Sequence, residues 1–256
     1  MKRIVVLSDP QIPYHDRKAV RAVYDFIAQY QPDEIASVGD DVDFPQISRW
    51  SRGMEGEYRG DLQAHVDEGI AHFRRLRELH NGPIHVSRSN HMDRPLAYVR
   101  KYAPGLMGLR ALTVPSLLHF AELGVTYHEQ PHEIAPGWLL AHGDEMGGKS
   151  GGSPTTAPGD TAMKLARKWG YSVVCGHTHK AGMRHDHDTV NGRYRRRLFG
   201  MEVGNLMDFR RVHYLSAGSA NWQQAIGILY VDGRTVFPSL IPITHGRFTV
   251  EGTIYG

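Results

Sequence analysis

The sequence predicts an α/β fold built on a largely parallel sheet, and two observations predict it. Short apolar runs rich in Val and Ile alternate with longer stretches whose apolar residues recur at helical spacing. Several of the runs also end abruptly in Gly, Asp or Pro, as strands do where a sheet hands over to a loop. In order, Lys2–Leu7 (KRIVVL) is a strand closed by Ser8-Asp9-Pro10. Arg17–Gln29 sets Val20, Val23, Tyr24, Ile27 and Ala28 at helical spacing, and Glu34–Val38 (EIASV) is a second strand closed by Gly39. Leu62–Leu79 carries Val66, Ile70, Phe73, Leu76 and Leu79 along one helical stripe. Pro83–Ser87 is a third strand, and Leu96–Tyr102 is helical.

The second half continues with strands near Val125–His128, Glu133–Ala135 and Trp138–Ala141. Met146–Pro158 (MGGKSGGSPTTAP) has loop composition and follows a polar cluster, so it reads either as a lid over a site or as a plain surface loop. Thr161–Trp169 is helical and Ser172–Cys175 is a strand. From Met183 to about Leu240 the pattern is strands and hairpins, turning at Asn191-Gly192 and Asp232-Gly233. There is no internal repeat or convincing boundary, so residues 1–256 are expected to form one domain.

Composition narrows the function classes. No apolar run reaches the roughly 18 residues that a membrane-spanning helix needs. The basic start is followed by an apolar stretch of only about five residues, too short for a signal peptide. The lone Cys175 excludes an internal disulfide and fits a reducing cytoplasm. A formal net charge of +3 permits nucleic acid as a substrate without marking a dedicated binder. Many of the 16 histidines, among them His65, His72, His80 and His213, read as surface or half-buried positions.

Five segments differ, each placing metal-binding or acid–base side chains directly after an apolar run. They are Ser8-Asp9-Pro10-Gln11, Gly39-Asp40-Asp41-Val42-Asp43, Asn90-His91, Ala141-His142-Gly143-Asp144 and Gly176-His177-Thr178-His179. In an open α/β sheet the loops at the carboxyl ends of strands converge on one crevice, so these groups can meet. Carboxylate and amide oxygens with imidazoles, and no thiolate, suit Mn2+, Fe2+, Zn2+ or Ni2+. A carboxylate shared by two cations about 3.5 Å apart is the arrangement used in phosphoryl chemistry.

In order and spacing these segments resemble the calcineurin-like metallophosphoesterase superfamily, whose pattern is D-x-H, G-D-x-x-D, G-N-H-D/E, a later H, and G-H-x-H. Here the pattern reads Asp9-x-Gln11, Gly39-Asp40-x-x-Asp43, Ser89-Asn90-His91, His142 and Gly176-His177-x-His179. The resemblance implies a four-layer α/β/β/α sandwich with mixed sheets and a metal site at the C-terminal ends of the strands. It implies two divalent cations, Mn2+ foremost, with Mg2+, Fe2+, Zn2+ or Ni2+ as alternatives. Asp9, Gln11 and His179 would ligate the first metal, Asn90, His142 and His177 the second, and Asp40 both. His91 would protonate the leaving-group oxygen or stabilise the transition state. Asp43 would orient a ligand or His91; its plainer reading is a loop carboxylate capping a helix. Two departures stand out: Gln11 occupies a histidine position, and Ser89 replaces the glycine before Asn90, with the acidic residue, Asp93, one place late.

Arginines near the motifs, Arg49, Arg52, Arg88 and Arg94, are candidates to grip a phosphate oxygen, Arg94 first because it follows Asn90-His91. The run Arg193–Arg197 reads as a charged, solvated strand edge or as a track for a nucleic-acid backbone. Ala217–Gln224 looks like the closing-strand region of bacteriophage-type members of the superfamily, which would put Asn221 and Trp222 at the pocket; a core role is the plainer reading of Trp222. The expected reaction is hydrolysis of a phosphate ester by metal-bound hydroxide without a covalent intermediate. The first substrate expectation is a phosphodiester in DNA, RNA or a nucleotide. The second is a phosphomonoester of a protein or small molecule. A catalytically inactive, metal-stabilised binding protein is the reading from another class, against which stands a ligand set departing only at Gln11.

Overall fold

The computed structural model describes residues 1–48, 51, 53, 57, 60–146, 157–212 and 220–256. Arg49, Arg52, His213 and most of the expected 146–158 loop lie outside the described residues. In chain order the strands and helices are β1 Lys2–Leu7, α1 Arg17–Tyr30, β2 Glu34–Ser37, α2 Leu62–Leu79, β3 Ile84–Ser87 and α3 Arg94–Tyr102. There follow the single turn α4 Val114–Leu117, then β4 Val125–His128, β5 His132–Ala135, β6 Trp138–Leu140, α5 Asp160–Trp169 and β7 Ser172–Cys175. The chain closes with β8 Ala181–Val190, β9 Arg193–Val203, β10 Ala225–Asp232, β11 Thr235–Pro242, β12 Phe248–Val250 and β13 Thr253–Tyr255.

The strands form two mixed sheets and a small hairpin. The first sheet has the order β11-β10-β1-β2-β3-β4 and the second β5-β6-β7-β9-β8. From β1 to β4 the pairing is parallel, as alternation with helices requires. The expectation of a largely parallel sheet fails at the other edge, where β10 and β11 run antiparallel beside β1. Between β10 and β11 the reason is local: the tight Asp232-Gly233 turn leaves no crossover helix, and without one these consecutive strands can pair only antiparallel.

Side-chain alternation sorts the core into layers. Val5 and Leu7 of β1 turn to α1 and α2, meeting Val23, Phe26 and Ile27 of the former and Phe73 and Leu76 of the latter. Ile4 and Val6 turn the other way, onto Trp138, Leu140, Val174 and Met201 of the second sheet. Being buried on both faces is why β1 reads as an unbroken apolar run. On the far side of the second sheet, Val173 and Cys175 of β7 pack on Ala162, Leu165 and Ala166 of α5. The result is the α/β/β/α order.

Polar contacts fix the helix ends. The Asp16 carboxylate accepts from the backbone N–H of Lys18 and Ala19 to cap α1, and Asp61 accepts from Gln63 to cap α2. His72 and His80 are buried rather than superficial, contrary to expectation: the α2 stripe carries His72 into the seam with α1, where Nδ1 lies 2.7 Å from the Tyr24 hydroxyl. The arginines at 193, 195, 196 and 197 are exposed on a β8–β9 ribbon extending past β7, whose pairing with β9 covers only Gly200–Glu202. Arg196 pairs with Asp188 across that ribbon at 3.6 Å.

Candidate metal centre

Every residue singled out by the motifs lies just past the C-terminal end of a strand: Asp9 and Gln11 after β1, Asp40 and Asp43 after β2, Asn90, His91 and Arg94 after β3. His142 follows β6, and His177 and His179 follow β7. The loops are tied to one another through backbone. Gln11 N–H donates to Asp40 O at 2.9 Å and Asp43 N–H to Ile12 O at 2.9 Å, so the β1 and β2 loops run as one layer. Across the sheets, Leu206 N–H donates to Asp9 O at 3.2 Å, and within the second sheet Gly176 N–H donates to His142 O at 2.9 Å. Gly176 is needed for closeness, because a Cβ there would overlap the Asp9 carboxylate and Val38. Asp9, Gln11, Asp40, His177 and His179 all adopt positive φ, between 41° and 66°.

The side chains converge on Asp40. Nε2 of His142 lies 3.3 Å from Asp40 Oδ2 and 2.8 Å from Asn90 Oδ1; Nδ1 of His177 lies 2.9 Å from the same Asn90 oxygen. Donor atoms of Asp40, His142 and His177 all fall within 4.8 Å of one another, and so do those of Asp9, Asp40 and His179. Gln11 joins the second trio, its Nε2 2.9 Å from His179 Nε2 and 3.4 Å from Asp40 Oδ2. Asp40 is common to both groups, and Asp9, Gln11, Asp40, His142 and His179 are buried.

Tautomer and charge fit a cation. Nδ1 of His142 is 2.9 Å from Val38 O, which can only accept; the ring therefore keeps Nδ1–H there and turns Nε2 to Asp40. Burial, reinforced by the charge on Asp40, pushes the Asp9 carboxyl up to about 8, with His142 opposing. For His142 burial works downward, but the pull of Asp40, then of Asp9 and Asp144, outweighs it and lifts the imidazole to about 10. Burial also works against ionised Asp40, yet His142 and His91 hold it well below the usual carboxylate range. Burial lowers His177 to about 4 and His179 to about 3, leaving their lone pairs unprotonated near neutral pH. The Asp9 carboxyl and the His142 imidazole, held against ionised Asp40, thus retain protons at places where cations can replace them. The donor set suits divalent ions of the Mn2+–Zn2+ series.

Beyond this cluster, Nδ1 of His91 is in contact with Asp43 Oδ1, and its backbone N–H donates to Asp40 Oδ1 at 3.0 Å. Burial would raise Asp43, but His91 and Arg94 outweigh it and lower the carboxyl. Arg94 Nη1 lies 3.0 Å from Asp43 Oδ1, and its Nη2 lies 3.0 Å from His91 Nε2. A cleft of about 490 Å3 opens here, lined among others by Asn90, His91, Arg94, Tyr98, Lys101 and Tyr102. Arg88 is committed elsewhere, bridging Asp93 at 2.6 Å and Asp144 at 2.7 Å, so Asp93 faces an arginine instead of the cluster. Trp222 sets its ring edge-on to His179, centroids 4.4 Å apart, while Asn221 is exposed.

Several supporting residues escaped the motif reading. The Ser89 hydroxyl accepts from Asp40 N–H at 2.8 Å, giving the departure from glycine a purpose. The buried Glu202 accepts from Thr161 N–H at 2.7 Å and from the Thr178 hydroxyl at 3.0 Å, anchoring the His177–His179 loop. Asn205 donates to His179 O at 3.0 Å. A carboxylate inside the otherwise apolar LFGMEV stretch was the available signal for Glu202.

Fold and site together define a four-layer α/β/β/α protein with a buried histidine–carboxylate centre able to hold metal. The chain is 40% identical over 256 residues to the Gene 54 protein of Mycobacterium phage D29, covering 99% of this chain and 98% of that one. It is 38% identical over 256 residues to the Gene 54 protein of Mycobacterium phage L5, with the same 99% and 98% coverage. The chain belongs to this mycobacteriophage Gene 54 protein family. No family model matches it. Among solved structures it is similar to vacuolar protein sorting 29 of Cryptosporidium parvum, with 13% identity, 99% and 97% coverage and a TM-score of 0.48. The zinc complex of the Entamoeba histolytica protein gives 12% identity, 98% and 95% coverage and a TM-score of 0.41.

Proposed function

We propose that this protein is a metal-dependent phosphoesterase of the calcineurin-like type, acting on phosphodiesters of nucleic acid or nucleotides. The observation that carries the reading is the convergence of six side chains, from loops far apart in sequence, on the one carboxylate of Asp40. Asp9, Gln11 and His179 would hold one divalent cation, Asn90, His142 and His177 the other, and Asp40 both; Mn2+ is the expected ion. When bound, such a pair grips phosphate oxygens, makes water nucleophilic at neutral pH and offsets the charge that develops on the phosphoryl group.

The protein's own groups supply the rest. Asp43 holds Nδ1 of His91, which leaves Nε2 to carry the proton for the departing oxygen. In the present arrangement Nε2 faces Arg94, which can only donate, so Nε2 accepts. Protonation of Nε2 breaks that bond and frees Nη2 of Arg94 for a phosphate oxygen, while Nη1 stays on Asp43. The adjoining cleft favours a diester with a base attached: Tyr98 and Tyr102 are exposed, with ring centroids 4.7 Å apart, and Lys101 and Arg94 flank them. Exposed aromatics beside cations are a stacking platform for bases on a charged backbone.

Metal-stripped protein given Mn2+, and in parallel Mg2+, Ni2+ or Zn2+, should cleave bis-p-nitrophenyl phosphate faster than p-nitrophenyl phosphate. The reverse preference would move the assignment to a phosphomonoesterase. Metal binding with neither activity would make the protein a metal-stabilised binding protein.

A further inference from the structure

We infer a second metal site, separate from the Asp40 centre: His85, His128 and His132 form a three-imidazole cluster suited to one borderline divalent cation of the Zn2+, Ni2+ or Cu2+ class. The inference does not depend on the phosphoesterase reading. It starts from where the strands put these residues. In β3, Ile84 and Val86 enter the helix-side core, so His85 between them faces the second sheet. Val125 and Tyr127 of β4 likewise pack on the helix side, which turns His128 toward the second sheet as well. β4 is the edge of the first sheet, and β5, which opens with His132, is the edge of the second. The three imidazoles therefore join the two sheets at their open rim.

Nδ1 of His85 lies 3.0 Å from Nε2 of His128, and one donor nitrogen from each of the three rings falls within 4.8 Å of the others. Around a tetrahedral ion with Zn–N bonds of about 2.0–2.1 Å, ligand nitrogens stand about 3.3 Å apart. The His85–His128 pair is already near that separation. His128 and His132 are stacked face to face, centroids 3.8 Å apart and planes 12° from parallel. Parallel rings at that spacing cannot both aim in-plane lone pairs at one ion, so cation capture requires one ring to turn about its side-chain torsions. His132 is the one free to do so, being half-buried at the first residue of an edge strand.

The chemistry of the set decides which ion. No carboxylate belongs to the cluster, so it offers nothing to Mg2+ or Ca2+ and little to Mn2+, whereas imidazole suits Zn2+, Ni2+ and Cu2+. Burial lowers His128 to about 4 and also lowers His85, so both rings are neutral, ligand-ready imidazoles at pH 7. The Asp40 centre, rich in oxygen donors, keeps a broader preference. A cation bound at the rim would staple one sheet to the other.

The test uses the full chain, stripped of metal, loaded with Mn2+ and then titrated with Zn2+. Metal content is read by emission spectrometry and unfolding temperature by calorimetry. Wild type should bind one more Zn2+ per chain than His85→Asn or His128→Ala, and only wild type should gain unfolding temperature from that equivalent. Equal unfolding temperatures of the three proteins without Zn2+ would show that the variants fold; His132→Gln, at the half-buried strand start, is the reserve variant. If Zn2+ content and stabilisation are the same in wild type and all three variants, the cluster is a neutral stack of rings and the inference is overturned. A failed Mn2+ load with the Zn2+ difference intact would remove the Asp40 centre and leave this site standing.

Discussion

Five of the residues assigned to the centre hold left-handed backbone, a conformation that costs non-glycine residues of order 1 kcal/mol each. The sharp turns they make bring side chains from the ends of parallel strands round to one point. At Gln11 the consequence is testable, because an amide oxygen is a weaker ligand than imidazole for late transition metals. Gln11→His should tighten the first cation by about tenfold, equivalent to ~1.4 kcal/mol, in a calorimetric titration. Equal affinities would show that position 11 does not ligate. His91→Ala should lower kcat by about 10²–10⁴-fold with metal content unchanged, since it removes only a proton donor. A variant that hydrolyses normally would take His91 out of the reaction. The positions that meet at Asp40 were legible because their polar groups come just after short, mostly apolar strands. Ser89 and Asn205 were not, because their contacts to Asp40 and His179 cross 49 and 26 residues and have no local pattern.

Among the elements, β9 and α5 meet through one buried carboxylate. Glu202 accepts from the N–H groups of Thr161 and Ala162 in the first turn of α5, and from Thr178 beside the centre. Glu202→Ala leaves those donors buried and unmatched, and should cost about 2–3 kcal/mol in urea unfolding. Glu202→Gln, which keeps an acceptor, should cost less; equal losses would point to packing alone. At the α1–α2 seam, burial lowers His72 from the ordinary 6.5 to about 3. The unfolded chain therefore takes up this proton first as pH falls. Stability from neutral His72 is complete above about 6.5 and drains away toward pH 3. His72→Gln should thus flatten the fall in urea midpoint between pH 7 and pH 5; an unchanged fall would place that proton uptake elsewhere. Elements with a strong period were readable to within about two residues. The antiparallel return of β10 to β1 was not, since it is set by which edge stays free after the parallel strands have paired.

For the whole molecule, the proposed ligands divide between the sheets: Asp9, Gln11, Asp40 and Asn90 come from the first, and His142, His177 and His179 from the second. Bound cations would then hold the sandwich closed, and removing them with a chelator should lower the unfolding temperature of wild type. Asp40→Asn, whose shared carboxylate is gone, should show a much smaller drop; equal drops would mean that the stabilising metal sits elsewhere. The same division gives Arg88 a consequence. Its guanidinium, half exposed to solvent, links Asp93 at the head of α3 to Asp144 beside His142, one attached to each sheet. That link is a clasp between the two sheets, held by charge and within reach of dissolved ions. High ionic strength would loosen this clasp before it reached the buried Asp40 centre, so the seam between the sheets and the centre itself would respond to salt separately.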